Sequence, residues 1–167
     1  FHFISSAYST GIKTGICEEK LEKTQSFTDI YEEMKYKGEV ITLDYCRKHD
    51  IRTTIIRPSI VIGNSRDGST FRFNGMYYPI KALILIRDMF LKDLLSGDGK
   101  RARQMSITDN SGTLHIPLRL ENDPNGGINV IPIDFVVDSV HAIINHPQNE
   151  RIYHIAAKQY VPMSQLL

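Results

Sequence analysis

The chain opens on an apolar run, "FHFIS" at residues 1–5, whose alternation suits a short buried strand ending in small polar residues. A polar stretch rich in Gly and Lys follows from Ser9 to Phe27, long enough to be a functional loop. Asp29 has the character of a helix N-cap, and Glu32 three residues later completes a capping box. Ile30, Met34, Ile41 and Tyr45 then recur at helical spacing to about His49, which predicts a helix packed along that stripe. Gly38 lies on the same stripe, where a missing side chain lets another backbone approach. "IRTTIIRPSIVIG" at 51–63 is rich in β-branched residues and predicts a strand that Arg57-Pro58 stops. A polar loop, "NSRDGSTFRFNG" at 64–75, leads to Pro79, which suits the first turn of a helix running to Gly97. "GTLHIPLRL" at 112–120 and "INVIPID" at 128–134 predict short strands around the turn-rich "ENDPNGG". "DFVVDSVHAIINH" predicts an amphipathic helix starting on Asp134, "RIYHIAA" a last strand, and "VPMSQLL" the opening of a further helix.

Strands alternating with helices predict an α/β protein with parallel pairing. The two middle strands depart from strict alternation and point to a small appended subdomain. Composition changes this picture little: 41% hydrophobic and 23% charged residues are those of a globular protein, and the net charge of +1 calls for neither nucleic acid nor an acidic membrane surface. The longest apolar run, "IKALILIRDMFL", is broken by Lys81, Arg87 and Asp88 and predicts no membrane span. No signal peptide is visible, and Cys17 and Cys46 form neither a disulfide framework nor a metal spacing, so the reading is of a reducing cytoplasm. The six histidines, His2, His49, His115, His141, His146 and His154, are scattered and give no metal site; His154, in an apolar strand, reads as a core residue. "KRARQ" at 100–104 reads as a solvated basic face. The chain starts in mid-strand without Met, which reads as a piece of a longer protein.

The candidate chemistry lies in a Tyr-x-x-x-Lys pair, and the chain holds two: Tyr31 with Lys35, and Tyr77 with Lys81. On a helix, residues four apart share a face, and an ammonium beside a phenol lowers a pKa that starts near about 10, making a better proton donor. Alone, such a pair is an ordinary solvated helix face. Ser5 and Ser6 set the first copy apart, because they end the first strand, where open parallel sheets bind ligands. The second copy straddles Pro79 at a helix start, with no serines closing a strand before it. Ser59 lacks the flanking glycines of a nucleophile elbow.

In order and spacing, "FHFISSAYSTG", "YEEMK", "RPSIVIG" and "INVIPIDFVVDSV" resemble the extended short-chain dehydrogenases/reductases. Within them the chain looks most like the male-sterility, fatty acyl and thioester reductase branch, with "RPSIVIGNSRDGSTFRFNG" the most specific piece and "YHIAA" a late strand. The resemblance covers the whole chain but only the C-terminal half of the family's Rossmann-like domain, so residues 1–167 are expected to form a single partial domain with the nucleotide-gripping half absent. It implies Ser6, Tyr31 and Lys35 as the catalytic triad. It implies Ser5, Tyr31, Lys35, Pro58, Ser59, Ile60 and Val61 along the cofactor, NADP or NAD with NADPH favoured, Pro58 to Val61 offering backbone groups to the carboxamide. Asn64, Arg66, Asn74 and Tyr77 would shape the substrate pocket for a small-molecule or carrier-bound acyl substrate. It also implies a homodimer through the helix at 29–49. The family's Gly-rich pyrophosphate turn is missing from the 167 residues, so the chain by itself is expected to be inactive. Three alternatives stay open: a nucleotide-sugar epimerase or dehydratase, a hydroxysteroid-type dehydrogenase, or a non-catalytic fragment acting as a binding module.

Overall fold

A strand–helix–strand unit begins the molecule, which the computed structural model describes over residues 1–22, 26–73, 75–110, 112–118, 126–146, 148–149 and 151–165. β1 (His2–Ile4) passes through a 3₁₀ turn (Ala7–Thr10) and a polar loop into α1 (Ile30–Lys48), which returns to β2 (Thr54–Pro58) and then β3 (Ile60–Ile62). Next come α2 (Tyr77–Ser96), α3 (Lys100–Gln104), β4 (Thr108–Asn110) and β5 (Thr113–His115). The chain ends with β6 (Gly127–Ile128), β7 (Val130–Pro132), α4 (Ile133–Asn145), β8 (Arg151–Ile155), β9 (Val161–Pro162) and a 3₁₀ turn (Met163–Gln165). These elements fall into two units, Phe1–Thr70 with Gly127–Leu167, and Phe71–Gly126.

In the first unit the main sheet has the order β1-β2-β8, all parallel, beside a parallel β3–β7 pair and a short antiparallel β6–β9 pair. The expected α/β architecture is therefore the one observed. β2 is buried along its whole length, so its alternating side chains feed two cores. Ile55 meets Leu43 of α1 and Ile152 of β8, with Phe3 and Leu21 packed around them. Its neighbour Ile56 points the other way, to Ile131, Ile155 and Val136 of α4. Each such side chain contributes about 1.5–3 kcal/mol on burial. The second unit pairs β4 with β5 as an antiparallel hairpin and buries Phe90 of α2, Ala102 of α3 and Ile107. Asp93 of α2 accepts the Ala102 N–H at 2.9 Å, so "KRARQ" is a short helix with exposed arginines and one buried alanine.

Several expectations are corrected. The capping box on α1 is present, Asp29 Oδ1 accepting from the Glu32 N–H at 2.9 Å and Glu32 Oε2 from the Thr28 N–H at 2.8 Å. The stripe chosen as its inner face is the outer one: Ile30, Met34, Ile41 and Tyr45 are 74%, 51%, 68% and 57% exposed. The inner face is Glu32, Glu39, Leu43 and Cys46, and its two carboxylates disguise it in a hydrophobicity pattern. Gly38 admits the Phe3 ring rather than a backbone; an added Cβ would lie 3.1 Å from it. The β-branched run 51–63 is two strands, because the chain leaves β8 after Pro58 and re-pairs with β7 at Ile60. Asn129 likewise divides "INVIPID" into β6 and β7, "GTLHIPLRL" forms β5 only at its start, and 119–125 lie outside the described residues. α4 starts at Ile133, with Asp134 inside its first turn, and "VPMSQLL" forms β9 and a 3₁₀ turn.

Candidate active site

β1 and β2 run parallel and end side by side, and two hydroxyls without partners among the described residues mark their carboxyl ends. The Ser5 N–H donates to the Ile56 carbonyl at 2.7 Å, which ties the end of β1 to β2. Ser5 is buried, and its Oγ has no partner among the described residues. Ser59, one residue past β2, donates its N–H to Ile155 at 2.9 Å, and Ile60 donates to Asn129 at 3.2 Å. Those two backbone donors are thus committed inside the fold, and Pro58 has none to give. The buried Ser59 Oγ, also unpartnered among the described residues, is the polar group that remains. A buried hydroxyl left without a partner costs about 1–3 kcal/mol, so two at one sheet end suit a polar ligand. Ile60 and Val61 lie in β3 beside β7.

Ser6 is buried and caps the 3₁₀ turn, its Oγ accepting the Tyr8 N–H at 3.2 Å, which leaves its own proton to donate. α1 packs on this turn. Tyr31, in the first turn of α1, is 53% exposed, and the Lys35 ammonium lies 5.7 Å from its ring centroid. The pair therefore does share one face. The two segments are tied directly: Ile12, just past the turn, donates its N–H to the Ser26 carbonyl ahead of α1 at 2.8 Å, and Ser9 of the turn bonds Glu39 of α1 at 2.6 Å, while partial burial pushes the Tyr8 phenol up. Serine turn and tyrosine helix meet here.

Sequence reasoning missed the most buried charges in the protein. Arg57 of β2 and Glu39 of α1 are both fully buried and joined by one two-pronged fork, Nε to Oε1 at 2.9 Å and Nη2 to Oε2 at 2.6 Å. Ser9 of the 3₁₀ turn donates to the same Oε1 at 2.6 Å. Arg57 Nη1 reaches the Lys20 carbonyl at 3.3 Å and lies 3.2 Å from His154 Nε2. Period-two alternation explains the meeting: Ile55 and Arg57 share one face of β2, Ile152 and His154 one face of β8, and Arg57 is in register with His154. Burial holds the His154 imidazole below its ordinary range, Arg57 adds to this, and Glu19 and Glu39 oppose it. His154 is thus half-buried at the edge of the core expected for it, with a charged neighbour. The signal available in the sequence was an arginine inside an apolar strand, which demands a buried anion.

The loop after β3 is held by its own side chains. Asn64 Oδ1 accepts the Arg66 N–H at 2.8 Å, and the Asn64 backbone bonds Ser69 and Gly68. Ser65 gives its N–H and hydroxyl to the two oxygens of Asp134, at 2.9 and 2.6 Å, which holds that carboxyl below its usual range. Asn64 thus shapes the loop, and the Arg66 side chain is exposed. Asn74 lies outside the described residues. Tyr77 belongs to the second unit, edge-on to Phe73 with ring centroids 5.5 Å apart. Tyr77, the first residue of α2, and Lys81 lie on either side of Pro79 as expected, and line an apolar groove of about 290 Å³ with Phe73, Ile80 and Ile84. Their unit holds no parallel strand end among the described residues. No cluster of three or more metal-ligating side chains occurs among the described residues, and no helix there is long and apolar enough to cross a membrane.

This geometry, a serine-ended parallel strand followed by a Tyr-x-x-x-Lys helix, coincides with a match over residues 1–140 to the male sterility protein family. The chain belongs to that family. No curated protein sequence matches it. Solved structures similar to this male sterility family member share its Rossmann-like, short-chain dehydrogenase/reductase fold. RMD from Pseudomonas aeruginosa, complexed with NADPH, has a TM-score of 0.58 and 17% identity, over 99% of this chain and 48% of that one. The terminal R domain of the myxalamid PKS-NRPS pathway has a TM-score of 0.58 and 16% identity, over 96% and 34%. UDP-glucuronic acid 4-epimerase from Bacillus cereus, in complex with NAD, has a TM-score of 0.62 and 19% identity, over 98% and 43%. This family member thus spans less than half the length of each.

Proposed function

We propose that this chain carries the catalytic half of a nicotinamide-dependent reductase acting on the carbonyl of an acyl thioester or related aldehyde. The observation that carries the reading is the packing of α1, which bears Tyr31 and Lys35, on the 3₁₀ turn that Ser6 caps just past the carboxyl end of β1, with Ser9 of that turn bonded to Glu39 of α1 at 2.6 Å. Ser5 and Ser59 fit a bound dinucleotide, because their buried hydroxyls want polar partners at the sheet end. Tyr31 and Lys35 would hold its ribose, with Pro58, Ile60 and Val61 as an apolar wall. NADPH is preferred to NADH on resemblance. Once bound, this group supplies a hydride to the carbonyl carbon.

Ser6 donates a hydrogen bond to the carbonyl oxygen, and Tyr31 protonates that oxygen as it gains charge. The Lys35 ammonium stabilises the phenolate left behind. Tyr31→Phe in the full-length protein should lower acyl-thioester turnover with NADPH by at least about 10²-fold. Turnover near wild type would remove the assignment. Sugar-nucleotide epimerases and dehydratases share the fold, so the same assay run on a panel of sugar nucleotides separates that reading. We further propose a homodimer through the exposed stripe of α1, and a cytoplasmic setting, in keeping with the free thiols of Cys17 and Cys46.

A further inference from the structure

We infer that the buried Ser9–Glu39–Arg57 cluster is a positioning device, which holds the Tyr31–Lys35 face and the Ser6 turn in mutual register. The inference rests on the reductase reading and deepens it. Tyr31, Lys35 and Glu39 are spaced four apart, so they form one stripe that drifts slowly round α1. Whatever fixes the Glu39 carboxylate therefore fixes the rotation and height of the stripe. Arg57 fixes it with two parallel bonds at 2.9 and 2.6 Å, a fork whose planarity sets direction as well as distance. Arg57 is itself anchored to the Lys20 carbonyl and flanked by His154, and it directly precedes Pro58 and Ser59. Ser9 adds the third bond, at 2.6 Å, from the turn that Ser6 caps. The 3₁₀ turn, α1 and β2 thus each send one fully buried side chain to a common point.

Stability alone does not explain this arrangement. Removing two charges from water is costly, and well-packed apolar replacements of a buried ion pair are often no less stable. Direction is what an apolar pair cannot supply. A catalytic group displaced by about 1 Å can lose on the order of 10²-fold in rate. Ser9, Glu39 and Arg57 touch no reacting atom on this account; they act through Tyr31, Lys35 and Ser6.

The test uses the full-length protein with NADPH and an acyl thioester. The double variant Glu39→Met with Arg57→Met should melt near wild type and bind NADPH within about threefold, yet lose about 10²-fold in kcat. Ser9→Ala, which keeps the ion pair, should lose about tenfold in kcat, and Ser9→Thr should restore it. If the double variant fails to fold, the Ser9 pair decides alone. Wild-type kcat in Ser9→Ala, with Tyr31→Phe inactive, overturns the positioning role and leaves the reductase reading standing. Active Tyr31→Phe instead removes the reductase reading, and a second measurement then decides the positioning. That measurement is the ¹⁹F resonance of 3-fluorotyrosine at position 31, which should move in Ser9→Ala and return in Ser9→Thr. An unmoved resonance overturns the proposal whatever the activity.

Discussion

At the scale of single residues, His154 couples this protein to pH. Its imidazole is held below the ordinary value of 6.5 by burial first and Arg57 second, with Glu19 and Glu39 pulling the other way. The unfolded chain therefore takes up the proton before the folded one does. Stability from this group is complete above pH 6.5 and falls as pH drops from there to the folded midpoint, below which it is lost in full. His154 is half-buried, so water screens part of the effect. Thermal melts at pH 7.5 and 5.5 should show the wild type losing more than His154→Gln, by about 2–4 °C for each kcal/mol involved. Equal losses in the two proteins would mean that folding does not lower the proton affinity of the imidazole.

At the scale of elements, α1 shows both what the sequence reveals and what it hides. Its start is legible because capping is local chemistry: Asp29 and Glu32 are three residues apart, and each closes a backbone donor. The Tyr31–Lys35 face is legible for the same reason. Its inner face is not, because Glu39 is neutralised by an arginine 18 residues away and a serine 30 residues away, and no local pattern holds that information. The strand β2 hides Arg57 likewise, and the re-pairing at Ile60 depends on β7, far along the chain. Once the inner face is known, the exposed stripe becomes an unpaired apolar surface that a second copy of the chain would cover. Ile41 is at its centre and also lines an apolar cavity of about 290 Å³ with Phe1, Tyr45 and Ile51. Ile41→Glu should therefore shift the light-scattering mass from dimer to monomer without changing the melting profile of the monomer. A wild type that is already monomeric at high concentration would end the pairing proposal.

At the scale of the whole molecule, the fold class is legible because strand–helix alternation is a long-range statement written in short-range periods. Those periods build the carboxyl end of a parallel sheet, with Ser5, Ser6 and Ser59 at strand ends and α1, the helix of Tyr31 and Lys35, packed on the turn that Ser6 caps. On the proposed reading these groups would address the nicotinamide end of a dinucleotide. The pyrophosphate needs something else, a Gly-rich turn on a helix N-terminus, and the 167 residues hold no such motif. Charge-assisted bonds contribute about 1.5–3 kcal/mol each, so losing two of them removes about 3–6 kcal/mol. That is on the order of 10²- to 10⁴-fold in affinity, enough to move a micromolar site into the millimolar range. Titration of this chain with NADPH and with NADH, followed by nicotinamide fluorescence, should accordingly show no saturation at micromolar concentrations, while the full-length protein saturates there. Saturable micromolar binding by the chain itself would show that its own residues grip the phosphates. The basic side chains of the loop that carries Lys13 and Lys20 would then be the first place to look, since both lysines already pair with carboxylates that an anion could displace.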